Sequence, residues 1–257
     1  MNTSYEERHH QAPRAPALEN CFDPATGALT FGDPDATPNW SFAGDFPFKI
    51  PQAVRENIRQ IDAYNTDFGC MPKTALKCQN ARHLLFMFCK IESVPDEIGD
   101  LRQLESLCLG ACRIRRISAR LGELKQLKLL HLSFNHLQTA PASLGNCREL
   151  GTLDLARNRL RTLPASLGAL TELHTLDISD NRLSRLPDIF ASLSKLERLC
   201  LDGNPLIELP LSLLQLPSLK SLSCGDGIES PRNARRFAAA CAERGVRLVW
   251  NRNAHFT

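Results

Sequence analysis

Asparagine returns every 23 residues along the middle of this chain, at Asn135, Asn158, Asn181 and Asn204. Each sits in one frame, L-x-x-L-x-L-x-x-N-x-L. Leu127, Leu130, Leu132, Asn135 and Leu137 make one copy, and Leu150, Leu153, Leu155, Asn158 and Leu160 the next. The frame continues from Leu173 and Leu196, and backwards from Leu104, Ala81 and Ile58, where Cys112, Cys89 and Thr66 replace the asparagine. An incomplete eighth copy begins at Leu219 and breaks down around Gly227. In the second half of each unit a proline recurs, at Pro72, Pro95, Pro141, Pro164, Pro187 and Pro210, with Ser118 as the exception. A fixed period of this length is the mark of stacked units, none of which buries its apolar face alone.

The local chemistry of one unit follows from the frame. Leucines alternating with period two point inward from a short strand. The proline then opens a short helical or irregular return limb, where its fixed φ and missing N–H do no harm. The chain thereby closes one flat coil and stacks it on the next. Backbone turning inward after the strand leaves N–H and C=O groups without a sheet partner. A buried Asn amide both donates and accepts there, so the Asn column is expected to form a ladder between coils. Thr66, Cys89 and Cys112 offer fewer bonds at that site, which predicts looser first coils than later ones.

The frame and the L-P-x-x-L-G-x-L limb resemble the leucine-rich repeat family, in particular its intracellular 23-residue class, found in Ras-suppressor-type scaffolds and related adaptors. Some leucine-rich effectors that bacteria inject into host cells are similar. The resemblance spans about Ile58 to Gly227. It implies an α/β repeat fold: a right-handed leucine-rich repeat solenoid, a horseshoe arc with a concave parallel β-sheet and N- and C-terminal caps. It also implies function by protein binding. The expected division is a disordered tail over 1–18, an N-terminal cap over 19–57, repeats over 58–227 (seven full 23-residue repeats plus a partial eighth) and a C-terminal cap over 228–257.

Solenoid ends expose a leucine-lined slab that needs cover. Upstream, Trp40, Phe42, Phe46 and Phe48 are followed by Ile50-Pro51, which mimics a return limb, and turn residues between Phe22 and Phe31 suggest a hairpin. Downstream, Ser230-Pro231 reads as an N-cap and first-turn proline of a helix stopping near Gly245. Val246 to Trp250 then alternates like a closing strand, with Leu248 or Trp250 on the last coil. Arg232, Arg235, Arg236, Arg244 and Arg247 are expected to be the solvated face of this cap.

A net charge of +3 is too small to make nucleic acid or an anionic membrane the default partner. No window approaches eighteen consecutive apolar residues, and the N-terminus lacks a signal-peptide core, so the expected location is cytoplasmic without membrane insertion. The chain has ten cysteines. Most fall in register: Cys89 and Cys112 in the ladder, Cys78 and Cys147 in a return-limb column, Cys224 at an inward strand position. That placement predicts buried thiols rather than a disulfide framework.

Because the register is fixed, the outward strand positions can be read column by column. Coils one to four present Tyr64, Leu85, Met87, Phe88, Cys108 and Phe134, with His83 beside them; contiguous exposed apolar residues of this kind mark interaction sites. Further along the face, His131 leads into Asp154, Asp177 and Asp180, relieved by Arg157. A protein with an apolar knob flanked by basic residues would suit this surface. The expected module is a monomer that uses no cofactor, metal or nucleic acid and performs no catalysis. One alternative is a bacterial secreted effector engaging a host protein. A remote one is an enzyme, since Cys108, His131 and Asp154 share one column in the order of a nucleophilic relay, or of the start of a zinc site. An open curved sheet supplies no obvious oxyanion hole or water-excluding pocket for such chemistry.

Overall fold

The computed structural model describes residues 21–31, 40–41, 44–47, 49–225, 228 and 230–249. The inward leucines generate a row of short strands: β1 (Phe22–Asp23), β2 (Ala28–Phe31), β3 (Trp40–Ser41), β4 (Gln60–Tyr64), β5 (Thr66–Asp67), β6 (His83–Met87), β7 (Ser93–Val94), β8 (Ser106–Cys108) and β9 (Arg116–Ile117). They continue as β10 (Leu129–His131), β11 (Thr152–Asp154), β12 (Thr175–Asp177), β13 (Arg198–Cys200), β14 (Ser221–Ser223) and β15 (Arg247–Val249). Eleven of them, among the described residues, form one sheet in the order β1-β2-β4-β6-β8-β10-β11-β12-β13-β14-β15. Only β1–β2 is antiparallel, with Phe22 opposite Leu29. Elsewhere the strands run parallel in strict register, carrying one file of inward residues from Ile61 through Leu84, Leu107, Leu130 and Leu153 to Leu176, Leu199 and Leu222. The coils that carry β4, β6, β8, β10, β11, β12 and β13 are numbered one to seven below.

This architecture is the leucine-rich solenoid expected from the frame. Behind the sheet, each return limb tightens into a single 3-10 turn, as at Asp96–Asp100 and Ala142–Asn146, so the limb is regular rather than irregular. The apolar residue three positions after the proline is buried in every coil, from Ala75 to Leu213. The glycine that often follows it is explained by neighbours: a Cβ on Gly145 would lie 2.2 Å from the Ser166 carbonyl oxygen, and one on Gly122 would lie 2.3 Å from that of Ser143. Successive limbs approach too closely for a side chain there.

At the N-terminal end the hairpin lies where the turn residues placed it, followed by a short helix α1 (Gln52–Arg55). Phe46 joins an edge-to-face stack with Phe31 at 5.9 Å and Phe68 at 5.6 Å, and Phe68 passes the stack to Phe86 at 6.1 Å. Asp45 ties this segment to coil one, accepting from the Thr74 N–H at 3.0 Å and its hydroxyl at 2.7 Å. At the other end α2 (Pro231–Glu243) begins with the Ser230 hydroxyl accepting from the Asn233 N–H, and Gly245 at φ +65° ends it. β15 pairs with β14, and Leu248 packs partly on the core. Arg244 departs from the expected solvated face: its guanidinium donates to the Leu214 carbonyl at 2.7 Å and to that of Leu216, closing the last return limb. The expectations for the 1–18 tail, Phe42, Phe48, Gly227 and Trp250 fall outside the described residues, as does the side chain of Trp40.

All ten cysteines are separate thiols; Cys78, Cys89, Cys112, Cys147, Cys224 and Cys241 are buried. Burial pushes Cys78, Cys89 and Cys224 up to about 12 and Cys112 and Cys147 to about 11, so these thiols behave as small apolar fillers. Among the described residues no helix is long and apolar enough to cross a membrane.

Candidate partner-binding face

The ladder sets where the concave face ends. The Asn158 amide donates to the carbonyls of Leu132 at 2.9 Å, Leu155 at 3.0 Å and Ala156 at 3.2 Å, and its oxygen accepts from the Leu137 N–H at 3.0 Å. Asn181 and Asn204 repeat this pattern. The Asn135 oxygen accepts from both Cys112 and Ile114. Cys89 and Cys112 reach the equivalent carbonyls through sulfur, Ala63 at 3.2 Å and Phe86 at 3.1 Å, while the Thr66 hydroxyl bonds Tyr64 of its own turn at 2.8 Å. Thiol and hydroxyl thus replace the donor half of the amide.

One residue before each ladder position, the backbone must turn inward while its N–H still reaches the next coil. Phe88 N–H donates to Gly110, Phe134 to Ala156, Arg157 to Ser179 and Asp180 to Asp202. Making that turn puts the whole column in the left-handed region: φ is +49° at Asn65, +60° at Phe88, +54° at Ala111, +56° at Phe134, +52° at Arg157, +50° at Asp180 and +65° at Gly203. Asn, Asp and Gly adopt this conformation at least cost; for Phe88, Phe134 and Arg157 it is costly. The sequence carried a signal for it, in the Asn, Asp and Gly of that one column, which the period-two pattern alone does not reveal.

The two phenylalanines neither fold inward nor lie under the described N-terminal segment: Phe88 is 52% and Phe134 54% exposed. Tyr64, Leu85 and Met87 are half-buried beside Phe88, brought together by the pairing of Asp62 with Leu85 and Tyr64 with Met87. His83 is exposed at the start of the same strand. Ala111 stands between the two phenylalanines in that column, and Gly110 precedes it. On Gly110 the space is tight. A Cβ there would lie 2.8 Å from Met87 Cε and 2.9 Å from His131 Nε2, so the thioether and the imidazole fill the space above it.

His131 lies in register with Cys108 on one side and Asp154 on the other. The Cys–His–Asp relay is nevertheless not assembled. His131 Nδ1 stands 3.0 Å from Asp154 Oδ2, but Nε2 faces the Ser133 hydroxyl at 2.7 Å. The Cys108 sulfur instead lies 3.8 Å from the Ser106 hydroxyl. Burial raises the Cys108 thiol, the opposite of what a nucleophile requires. Ser133 is only 5% exposed, so the Asp154–His131–Ser133 chain orients the imidazole rather than presenting a hydroxyl to substrate. Among the described residues no group of three or more His, Cys, Asp or Glu could hold a metal ion.

The acidic half is quieter than its composition suggests. Asp154 spends one oxygen on the Ala156 N–H at 2.9 Å, and Asp177 accepts from the Ser179 N–H at 2.9 Å and hydroxyl at 2.6 Å. Asp180 pairs with Arg157 Nε at 3.2 Å. Burial raises the Asp154 carboxyl, partly offset by that N–H and by His131.

Residues 148–206 match the family model described as Leucine rich repeat. No curated protein matches the chain. Among solved structures, an internalin from Listeria monocytogenes aligns with a TM-score of 0.63 at 19% identity, over 79% of this chain and 58% of its own length. The Arabidopsis receptor kinase HAESA, solved with the peptide hormone IDA and the co-receptor SERK1, aligns with a TM-score of 0.58 at 25% identity, over 77% of this chain and 32% of its own. The chain therefore spans less than two thirds of either protein.

Proposed function

We infer that this chain, which belongs to the leucine-rich repeat family, is a non-enzymatic binding module that holds a partner protein against the concave face of coils one to four. One observation carries the reading: Phe88 and Phe134 are more than half exposed while sitting at φ +60° and +56°. An L-residue in that region costs roughly 1–2 kcal/mol, and an exposed ring recovers little of it by burial. The turn imposes this φ in every coil; a bulky exposed ring at such a position, where Asn65, Asp180 and Gly203 stand in other coils, is what packing leaves unexplained and what points to function. Tyr64, Leu85 and Met87 extend the patch, and aromatic and Met side chains are the usual anchors of protein interfaces. Arg157, Asp177 and Asp180 border it, so the partner is expected to bring an apolar knob flanked by basic groups. HAESA is a relative of this fold in complex with a peptide hormone and a co-receptor, which accords with a peptide or protein ligand here.

The test is affinity capture from native lysate with the intact chain, Phe88→Asp and Phe134→Asp as parallel baits, all three checked for the same melting curve. A protein retained by the parent and lost by both variants supports the reading. Equal capture by all three sinks it.

A further inference from the structure

The small net charge conceals an uneven distribution. The turns that leave the sheet after the ladder residues run along one lateral edge of the solenoid. Coil three places Arg113, Arg115 and Arg116 there. Coil five adds Arg159 and Arg161, and coil six Arg182 and Arg185. In the four turns 113–117, 136–140, 159–163 and 182–186 there is no acidic residue. All seven arginines are exposed. Among the described residues none of them enters an ion pair, whereas several other cations are matched: Lys90 with Asp67 at the start of the same edge, Arg82 and Lys128 with Glu105, Arg102 and Arg120 with Glu123, Lys195 with Glu172, Lys220 with Glu197.

Three further features decide what such an edge fits. The apolar residues interleaved with the arginines, Ile114, Leu160 and Leu183, are fully buried, so the edge shows charge and no hydrophobic anchor. Protein interfaces are depleted of charge at their centres, which argues against a folded protein seated here. Single-stranded nucleic acid wants aromatic faces among the cations, and the ring nearest this edge, Phe134, is covered on one face by the Arg157 guanidinium 4.7 Å from its centre. Parallel strands in register bring successive turns back about 4.8 Å apart, so the arginines of coils three, five and six line up along one edge, with His136, Gln138 and Thr139 of coil four between them. Along it, Arg115, Arg116, Arg159 and His136 line a recess of about 670 Å³ together with one carboxylate, Glu92. Guanidinium forks suit phosphate oxygens.

We propose that this arginine edge docks the solenoid on a membrane surface rich in anionic phospholipid, with a headgroup phosphate entering the recess between Arg115, Arg116 and Arg159. The edge meets the concave face at one recess, where Arg159 and Arg182 stand beside Phe134 and Arg157. Binding is peripheral and electrostatic: basic side chains at a membrane surface each contribute about fivefold in partition, and the effect decays with added salt.

The experiment is co-sedimentation of the full chain with vesicles of phosphatidylcholine alone and of phosphatidylcholine mixed with phosphatidylserine. The parent should pellet with the mixed vesicles only and be released by raised salt. Arg115→Glu/Arg116→Glu and Arg182→Glu/Arg185→Glu, both at exposed positions, should each keep the parental melting curve and lower the partition by roughly 25-fold or more, at about fivefold per charge removed. Absence of binding to the mixed vesicles overturns the proposal. So does binding by either variant that equals the parent's. Retention of a single-stranded oligonucleotide without vesicle binding overturns it in favour of nucleic acid.

Discussion

The Arg157 guanidinium stands 4.7 Å from the centre of the Phe134 ring, and its Nε reaches Asp180 at 3.2 Å. Three consecutive members of the left-handed column, on coils four, five and six, are thereby linked along the rim of the concave face. A double-mutant cycle with Phe134→Ala and Arg157→Ala should give a coupling of about 0.5–1 kcal/mol in urea unfolding, as for an exposed cation–π pair. The Arg157–Asp180 cycle should give less and fade in salt, because both partners are about half exposed.

The return-limb glycines make a graded prediction. A Cβ on Gly145 meets backbone oxygen of Ser166 at 2.2 Å, but one on Gly168 meets the Ile189 side chain at 3.3 Å. Gly145→Ala should therefore destabilise by about 1–3 kcal/mol, as overpacking does. Gly168→Ala should cost clearly less, since a side chain yields where backbone cannot. Equal losses in chemical denaturation would mean that limb spacing does not set the glycine requirement.

Removal of one rung tests the ladder. Asn158→Ala leaves the Leu137 N–H and the Leu132 and Leu155 carbonyls without their amide partner. A loss of about 1–3 kcal/mol is expected, with faster hydrogen exchange at Leu137. The same exchange measurement should find the amides of coils one and two less protected than those of coils four to six, where Asn replaces Thr66 and Cys89.

Asp62 supplies a pH prediction with a definite sign. Burial holds its carboxyl above the ordinary range, against the Gln60 amide 2.6 Å away and the charge of His83. A carboxyl whose folded value exceeds its unfolded one costs stability when ionised, and that cost disappears as pH falls toward the unfolded value near 4. Asp62→Asn should therefore melt higher than the parent near pH 7, with the difference shrinking to nothing near pH 3. A constant difference across that range would assign the effect to packing instead.

How far these features could be read from sequence depends on whether they repeat. The strand register, the inward leucines, the buried cysteines and the position of Asn158 all follow from a 23-residue period, because every coil reports the same environment. The hairpin at Phe22–Phe31 and helix α2 carried their own turn and capping signals. What stayed hidden is what occurs once. Phe68, which completes the aromatic stack, fills the frame's last leucine position in coil one, so the period marks it as inward but not as the aromatic that meets Phe46. Ser133 holds the far nitrogen of His131 only because Gly110 lets that imidazole swing across its own strand, away from Cys108. Arg244 lies on an apparently solvated helix face, yet the backbone of the preceding limb comes within its reach. The arginine edge escaped notice because an overall charge of +3 averages over faces that only the folded coil separates.

The central claim is that Phe88 and Phe134 serve a partner and not the fold. Its most direct test is the equilibrium unfolding of Phe88→Asn/Phe134→Asn, since Asn is at home at φ +60° and +56° whereas a bulky ring is not. If the rings are held out for binding, the double variant should be at least as stable as the parent, because relief of the backbone offsets the small loss of the Arg157 contact. A loss of more than about 3 kcal/mol, the scale of deleting a packed core side chain, would show that the rings hold the solenoid together and would contradict the claim.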